Sequence, residues 1–159
     1  MKYLFAPWRW DFICGKKKES GCVFCSAQNR DDSDALICWR GEKFFVMMNK
    51  YPYSSGHLLI VPYAHRSSPE QMAGDELREL WELTNRSLAI LKEYFHPEGF
   101  NIGMNIGPAA GAGVKDHFHQ HVVPRWPGDA NFMAVIGSTR VLSCDPEKVF
   151  AAIAGAFKK

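Results

Sequence analysis

The segment that most constrains the fold of this chain is DHFHQHVVPRW, residues 116–126. It contains three histidines at alternate positions, His117, His119 and His121. Successive side chains of a β-strand point to opposite faces of a sheet, so an extended chain places all three imidazoles on one face. A helix would instead spread them around its circumference. The spacing therefore predicts a strand, with Phe118 and Val122 directed toward the core and Gln120 as a polar residue beside them.

Apolar segments elsewhere in the chain predict the neighbours of this strand. Residues 35–49 contain two short apolar runs joined at Gly41-Glu42, which is typical of a hairpin. Residues 57–63 and 100–107 each predict one further strand. A short strand is also expected at 134–137. Residues 15–34 are polar and rich in charge, and we interpret them as a loop.

Helical spacing of apolar residues begins at Asp75. Six residues are expected on one face of a long amphipathic helix: Leu77, Leu80, Trp81, Leu88, Leu91 and Phe95. His96-Pro97 and Gly99 end this helix. A closing helix begins with Asp145 as its N-cap and Pro146 at the first helical position. Together these elements predict an α+β fold, with an antiparallel sheet of about five strands, one long helix and one C-terminal helix.

Length and composition exclude several classes of protein. The 159 residues suffice for one domain with a core of its own. No apolar run approaches the roughly 20 residues that span a bilayer, and a net charge of +2 does not favour binding to nucleic acid or to a membrane surface. The apolar part of the first 18 residues precedes the basic run, the reverse of a signal peptide, so we expect a cytoplasmic protein. Five cysteines without an export signal argue against a disulfide framework.

The three alternate histidines are compatible with two kinds of chemistry. They could chelate a catalytic metal ion, but the first and third lie about 13 Å apart at roughly 3.3 Å per residue, too far for one ion with bonds of about 2.0 Å. Alternatively, a neutral imidazole can attack phosphorus near pH 7 while a neighbouring one assists the leaving group. The preceding loop favours phosphoryl chemistry, because Gly107, Gly111 and Gly113 allow backbone N–H groups to approach a phosphate.

The motif HFHQHVV resembles the signature of the histidine-triad (HIT) family, His-x-His-x-His followed by two apolar residues. The resemblance extends to residues 48–65 and 99–133 and to APWRW near the amino terminus. These segments look like the branch that contains bacterial HIT hydrolases, diadenosine tetraphosphate phosphorylases and the fragile-histidine-triad dinucleoside hydrolase. The resemblance implies one HIT domain over residues 1–159, made of an N-terminal segment (1–34), a catalytic core (35–133) and a C-terminal strand and helix (134–159). It also implies a homodimer whose sheets join across a two-fold axis.

The same resemblance implies a function and a role for each site residue. The function is that of a hydrolase or transferase acting on the α-phosphate of an adenine dinucleoside polyphosphate or a nucleoside phosphoramidate. His119 would attack phosphorus and carry a covalent nucleotidyl group, His121 would contact the phosphate and assist the leaving group, and His117 would support the site from the side. The remaining nucleotide contacts would come from Asn49 (ribose), Asn105 (phosphate side) and the backbone of Gly111, Gly113 and Val114. Magnesium would enter only together with the polyphosphate of the substrate.

Cys22-x-x-Cys25 is spaced as half of a zinc site or as a redox pair. The helix that a thioredoxin-like redox pair opens is not expected here. Zinc needs two further ligands. His65 and His117 are available, and the resemblance implies those positions. The expected zinc is structural and would hold the N-terminal segment against the catalytic strand.

Two rival functions remain open on the sequence alone. One is a zinc-dependent hydrolase with His117 and His119 as catalytic ligands, and the other is a nucleotide-binding module with little turnover. His57 and His96 are interpreted as turn or surface histidines. Gln120 stands where many family members carry an apolar residue, and we expect it to alter packing without loss of chemistry.

Overall fold

A computed structural model describes residues 21–129 and 144–159 of the chain. Two short helices, α1 (Val23–Ala27) and α2 (Asp32–Ala35), precede a hairpin of β1 (Ile37–Arg40) and β2 (Phe44–Met48). They are followed by β3 (Leu58–Pro62), the long helix α3 (Gly74–Phe95) and β4 (Gly99–Met104). A 3-10 turn (Pro108–Ala110), β5 (Gln120–Arg125) and helix α4 (Pro146–Phe157) come last. Within these ranges no helix is both long and apolar enough to cross a membrane.

The five strands form one antiparallel sheet in the order β1-β2-β3-β5-β4. All five residues of β3 are buried, because the sheet is covered on both faces. Leu58 and Ile60 pack in the cluster that includes α3 and α4, whereas Leu59 and Val61 pack with residues of α1 and α2. The α+β fold with a five-stranded antiparallel sheet is thus confirmed.

The ends of both long helices agree with the sequence prediction. His96 follows α3 in the left-handed conformation with φ 47°, and Asp145 accepts a hydrogen bond from the backbone N–H of Glu147 at the start of α4. The predicted apolar face of α3 is wrong in part, because Leu77 and Trp81 are 44% and 55% exposed. The residues of α3 that are buried are Leu80, Leu83, Thr84, Ser87, Ile90 and Leu91. Two polar residues therefore occupy core positions that apolar periodicity does not detect.

Three other predictions about local structure are corrected or fall outside the described residues. The loop predicted over 15–34 contains helices α1 and α2 from residue 23 onward. The histidine strand begins only at Gln120, since the pairing of β5 with β3 and β4 starts there and the backbone N–H of Phe118 instead donates to the carbonyl of Arg66 at 2.7 Å. The short strand expected at 134–137 lies outside the described residues.

Candidate active site

The segment that contains the three histidines enters the sheet beside β3. His121 lies on β5 opposite Leu59, and His119 lies just before the strand. The ring centroids of His119 and His121 are 4.9 Å apart, and both side chains are largely buried. The extended chain therefore brings these two imidazoles side by side, on the sheet face that α1 covers.

A fourth histidine, His57, completes a hydrogen-bonded chain of imidazoles. Its Nδ1 accepts the backbone N–H of Tyr53 at 3.0 Å, so the ring hydrogen of His57 resides on Nε2. That Nε2 donates to Nδ1 of His121 at 2.9 Å. The hydrogen of His121 must then reside on its own Nε2, which is buried and has no partner among the described residues. The site thus holds one buried N–H donor with nothing to bind inside the described protein.

The position of His57 depends on the residue before it. Gly56 has φ +79°, a conformation that favours glycine, and a Cβ there would lie 3.1 Å from Leu91 Cδ2. The turn can therefore close tightly and place His57 at the start of β3. Because β3 pairs with β5, His57 lies next to His121, which is 64 residues away in the chain.

His119 has one ring nitrogen bonded to the backbone and the other unbonded in the part of the chain that the structure describes. Its Nδ1 donates to the carbonyl oxygen of His117 at 3.1 Å, which leaves the lone pair on Nε2. Burial lowers the pKa of His119, and the bond to the His117 carbonyl opposes this effect in part. Burial, with charge repulsion from His119 as the smaller cause, lowers the pKa of His121 to about 4. Both rings are therefore neutral near pH 7.

His117 faces a different group of side chains. Its Nε2 donates to the carbonyl oxygen of Pro62 at 2.9 Å, which leaves Nδ1 unprotonated. This Nδ1 lies 3.2 Å from Cys22 Sγ and 3.6 Å from Cys25 Sγ, and His65 Nδ1 lies 3.3 Å from Cys25 Sγ. The ligand atoms of Cys22, Cys25, His65 and His117 all lie within 4.8 Å of one another, so these four residues could hold a metal ion.

This cluster suits zinc by its chemistry. Two cysteines and two histidines are a frequent ligand set of structural zinc sites. The bond from His117 Nε2 to Pro62 resembles the outer-shell contact that orients most metal-binding histidines. His119 is not among the four residues whose ligand atoms lie together.

The loops around the histidines contain the other residues that the sequence singles out. Asn49 accepts the backbone N–H of Tyr51 at 2.9 Å, which is an Asx-turn, and its Nδ2 lies 3.4 Å from His57 Nδ1. Asn105 follows the end of β4 and is half-buried. Gly111 has φ +81°, and its N–H closes the 3-10 turn onto Pro108.

The backbone near the triad offers two candidate donors. The carbonyl of Val114 accepts the N–H of His117, which ties this loop to the first histidine. Among the described residues, the N–H groups of Gly113 and Val114 have no hydrogen-bond acceptor. These two amides could therefore bind an anion, whereas the amide of Gly111 is already used.

Two residues of this site are absent from the sequence prediction. His57, interpreted as a turn or surface histidine, does close a turn through its N–H bond to the Ser54 carbonyl, but it is only 1% exposed, so its placement at the surface is wrong. The sequence does contain a signal for this role, because His57 stands directly before the fully apolar run of β3, which pairs with β5. Phe24 contacts both His117 and His119 through its ring, and it lies between the two cysteines of the Cys-x-x-Cys motif.

Comparison with known proteins identifies the family of the chain. Residues 30–128 match the model of the HIT domain. The chain belongs to the HIT family. It is 40% identical over 150 residues to an AP-4-A phosphorylase from Mycobacterium tuberculosis, in an alignment covering 89% of this chain and 77% of the relative. It is also 29% identical over 89 residues to a bis(5'-adenosyl)-triphosphatase from Dictyostelium discoideum, covering 56% of this chain and 59% of that protein.

A solved HIT structure matches the same fold. A Zn-bound histidine triad family protein from Mycobacterium smegmatis has a TM-score of 0.69 and 26% identity, covering 87% of this chain and 94% of that one. The HIT match begins at residue 30, so it contains the triad, His57 and His65 but excludes Cys22 and Cys25. In this HIT protein, two of the four residues that could hold a metal ion thus lie outside the part that defines the family.

Proposed function

We propose that this HIT protein is a nucleotidyl hydrolase or phosphorylase that acts on the α-phosphate of an adenine dinucleoside polyphosphate. The observation that carries the proposal is the arrangement of hydrogens on the imidazoles. His119 has its lone pair on Nε2, and His121 has a buried N–H on Nε2 that finds no partner in residues 21–129 and 144–159. A nucleophile thus stands beside a donor for the phosphate. The names of the relatives from Mycobacterium tuberculosis and Dictyostelium discoideum support the same class of substrate.

In the first displacement the Nε2 lone pair of His119 forms a bond to the α-phosphorus. The bond from phosphorus to the bridging oxygen breaks, and this oxygen departs with the electron pair as a polyphosphate anion. The His119 ring then carries a positive charge, which its Nδ1–H bond to the His117 carbonyl helps to stabilise. In the second displacement water or inorganic phosphate attacks phosphorus, and the N–P electron pair returns to Nε2 while the acceptor releases its proton to solvent.

His121 acts as a neutral hydrogen-bond donor in this scheme. With a pKa of about 4 it is not an imidazolium at pH 7, so it contributes a hydrogen bond without giving up a proton. A polyphosphate leaves as a stable anion and needs no more than that bond. The amine of a phosphoramidate must be protonated as it leaves. We therefore favour the polyphosphate over the phosphoramidate as substrate.

The surrounding loops would bind the nucleotide. The free amides of Gly113 and Val114 would donate to phosphate oxygens, and Asn105 would contact the phosphate side. Asn49 would contact the ribose from its turn, and Gly111 would shape the loop through its positive φ. Magnesium would accompany the polyphosphate as part of the substrate.

Cys22, Cys25, His65 and His117 would hold a structural zinc. When bound, the ion would supply a cross-link between the N-terminal segment and the residues that precede β5. His117 would then serve the site as a ligand and through its carbonyl, with its ring held away from phosphate. The three parts of the chain, 1–34, 35–133 and 134–159, would act as one catalytic domain.

Two copies of the chain would associate through β4. This strand is at the edge of the sheet, and Ile102 and Ile106 are 39% and 46% exposed near that edge. Joining two β4 edges would pair backbone groups and cover these side chains. We expect a dimer mass in analytical ultracentrifugation, and a shift to monomer for Ile102→Lys; a monomer of the unaltered protein at micromolar concentration would contradict this arrangement.

The nucleophile assignment is tested by His119→Asn. Removing the attacking lone pair should reduce turnover of diadenosine tetraphosphate by at least about a thousandfold, while the affinity for the nucleotide, measured by calorimetry, changes by less than about threefold. His96→Asn is the matched control, because His96 lies at the end of α3 in a conformation that Asn also adopts. Trapping a nucleotidyl adduct on the peptide that contains His119 would support the covalent step. Retained turnover in His119→Asn would refute it.

A further inference from the structure

The sheet does not hold the nucleophile directly. The pairing of β5 with its neighbours starts at Gln120, so the ladder anchors His121 but leaves His117 and His119 ahead of it. The side-chain bond of His119 goes to the carbonyl of His117, two residues away in the same segment. That bond selects the tautomer and sets the ring relative to the segment, and the segment is held by the bonds from His117 Nε2 to Pro62 and from the Phe118 N–H to Arg66.

A contact from the N-terminal part of the chain acts on the His119 ring directly. The ring of Phe24 lies 4.8 Å from the ring of His119 at an interplanar angle of 55°. The same ring meets His117 at 5.4 Å and 73°. Phe24 is only 5% exposed and packs with Ala27, Phe45, Leu59 and Val61. The imidazole of His119 is thus packed against a buried aromatic ring that core residues hold in place.

The location of Phe24 in the sequence connects this contact to the metal-binding cluster. Phe24 stands between Cys22 and Cys25, whose sulfur atoms both approach Nδ1 of His117. Helix α1 has five residues, too short to be stable in isolation, so its position depends on packing and on the cluster. The two motifs of the sequence, Cys-x-x-Cys and the histidine triad, therefore meet at one aromatic ring.

We propose that Phe24 is a positioning residue for His119 and holds its Nε2 lone pair toward the α-phosphorus. Because Phe24 lies on α1, the cysteine cluster that fixes α1 also fixes the orientation of the His119 ring. The proposal rests on the proposed function in taking His119 as the nucleophile. Orientation of a nucleophile affects the rate of the displacement more than the binding of the nucleotide. A change at Phe24 should consequently alter kcat and leave KM nearly constant.

The test compares Phe24→Leu with Val23→Ala. Leucine keeps a buried apolar side chain, and Val23 lies in the same Cys-x-x-Cys motif but is 44% exposed. With diadenosine tetraphosphate we expect kcat to fall about tenfold in Phe24→Leu with KM within about twofold, and both constants to stay near the unaltered values in Val23→Ala. Metal content is measured for all three proteins by mass spectrometry and should be equal, since none of the four ligands is changed.

A second measurement needs no substrate. The ring ¹³C signals of His119, assigned by their loss in His119→Asn, should be sharp in the unaltered protein and in Val23→Ala, and broadened by exchange between ring orientations in Phe24→Leu. If Phe24→Leu does not give the spectrum of a folded protein, Phe24→Met takes its place. Unchanged ring signals and kcat, with only a lower midpoint of thermal unfolding, would overturn the proposal and leave Phe24 as a core residue. Failure of the proposed function would instead appear as retained turnover in His119→Asn.

Discussion

At the scale of single residues, one backbone amide determines which ring nitrogen carries the hydrogen in two imidazoles. The N–H of Tyr53 can only donate, so His57 and then His121 each have one allowed tautomer. The alternation of His117, His119 and His121 is readable in the sequence because it lies within five residues. The role of His57 is not, because it arises from the pairing of β3 with β5, which only the three-dimensional register provides.

The depressed pKa of His121 predicts how stability depends on pH. The unfolded imidazole titrates near its ordinary value of about 6.5, whereas the folded one titrates at about 4. Between these values the unfolded state binds a proton that the folded state does not, so stability is lost as pH falls from 6.5 toward 4. The part of this loss in the free energy of unfolding that is due to His121 would reach at most about 3 kcal/mol at pH 4.

Urea unfolding at pH 7, 5.5 and 4.5 measures this effect. His121→Asn should show a smaller loss of the free energy of unfolding than the unaltered protein over that interval, since asparagine does not titrate. Both proteins are studied with chelator, so that release of a metal ion adds nothing to the difference. Equal losses in the two proteins would contradict the assignment of a depressed pKa to His121.

At the scale of elements, α3 and β5 are joined by a buried polar contact that replaces apolar packing. Gln120 Nε2 donates to Thr84 Oγ1 at 2.7 Å, and this hydroxyl donates to the carbonyl of Leu80 at 2.6 Å. Gln120 faces away from the triad, which agrees with the expectation that it alters packing. Apolar periodicity predicts the existence and ends of α3 but assigns Leu77 and Trp81 to its buried face, because a pattern of apolar residues cannot reveal that Thr84 and Ser87 are buried.

The hydrogen bond between Gln120 and Thr84 predicts that substitutions at these two residues have non-additive effects on the free energy of unfolding. Thr84→Val should lower the free energy of unfolding by about 1–3 kcal/mol, because the buried amide of Gln120 loses its acceptor. Gln120→Leu should cost less, since Thr84 keeps its bond to Leu80. The double variant should cost less than the sum of the two, measured by urea unfolding as a double-mutant cycle. Strict additivity would show that the hydrogen bond contributes nothing.

At the scale of the whole molecule, the fold and the triad can be predicted from the sequence to different extents. The apolar runs of β2 and β3 and the caps at His96 and Asp145 are local signals, and the structure confirms them. The start of β5 at Gln120 cannot be predicted from the local sequence. It depends on the hydrogen bond that the N–H of Phe118 donates to the distant carbonyl of Arg66 instead of to a neighbouring strand. Helices α1 and α2 lie in a polar segment that owes its order to contacts with the sheet.

Metal removal separates a structural from a catalytic ion. If zinc occupies the cluster of Cys22, Cys25, His65 and His117, chelation should lower the midpoint of thermal unfolding by about 10 °C, the shift expected for roughly 4 kcal/mol in a chain of this size. Turnover at 25 °C should persist while the protein remains folded, reduced by no more than the roughly tenfold effect expected for Phe24→Leu. Cys25→Ser should abolish the effect of the chelator on the midpoint, and Cys144→Ser, at an exposed cysteine outside the cluster, should preserve it.

Immediate loss of turnover with an unchanged midpoint would contradict this assignment and indicate a catalytic metal. The same experiment therefore separates the zinc-dependent hydrolase from the proposed mechanism. It requires no knowledge of the natural substrate beyond the diadenosine tetraphosphate used as probe.

The junction between β3 and β5 has a consequence for the order in which activity is acquired. His57 directly precedes β3 and His121 lies on β5, and the chain between them includes all of α3 and β4. A newly made polypeptide, or a fragment that stops before β5, has the hairpin and the long helix but only one member of the imidazole pair. Catalytic activity should therefore be the last property to appear during folding. Recovery of turnover after denaturation should report the moment at which β5 pairs with β3.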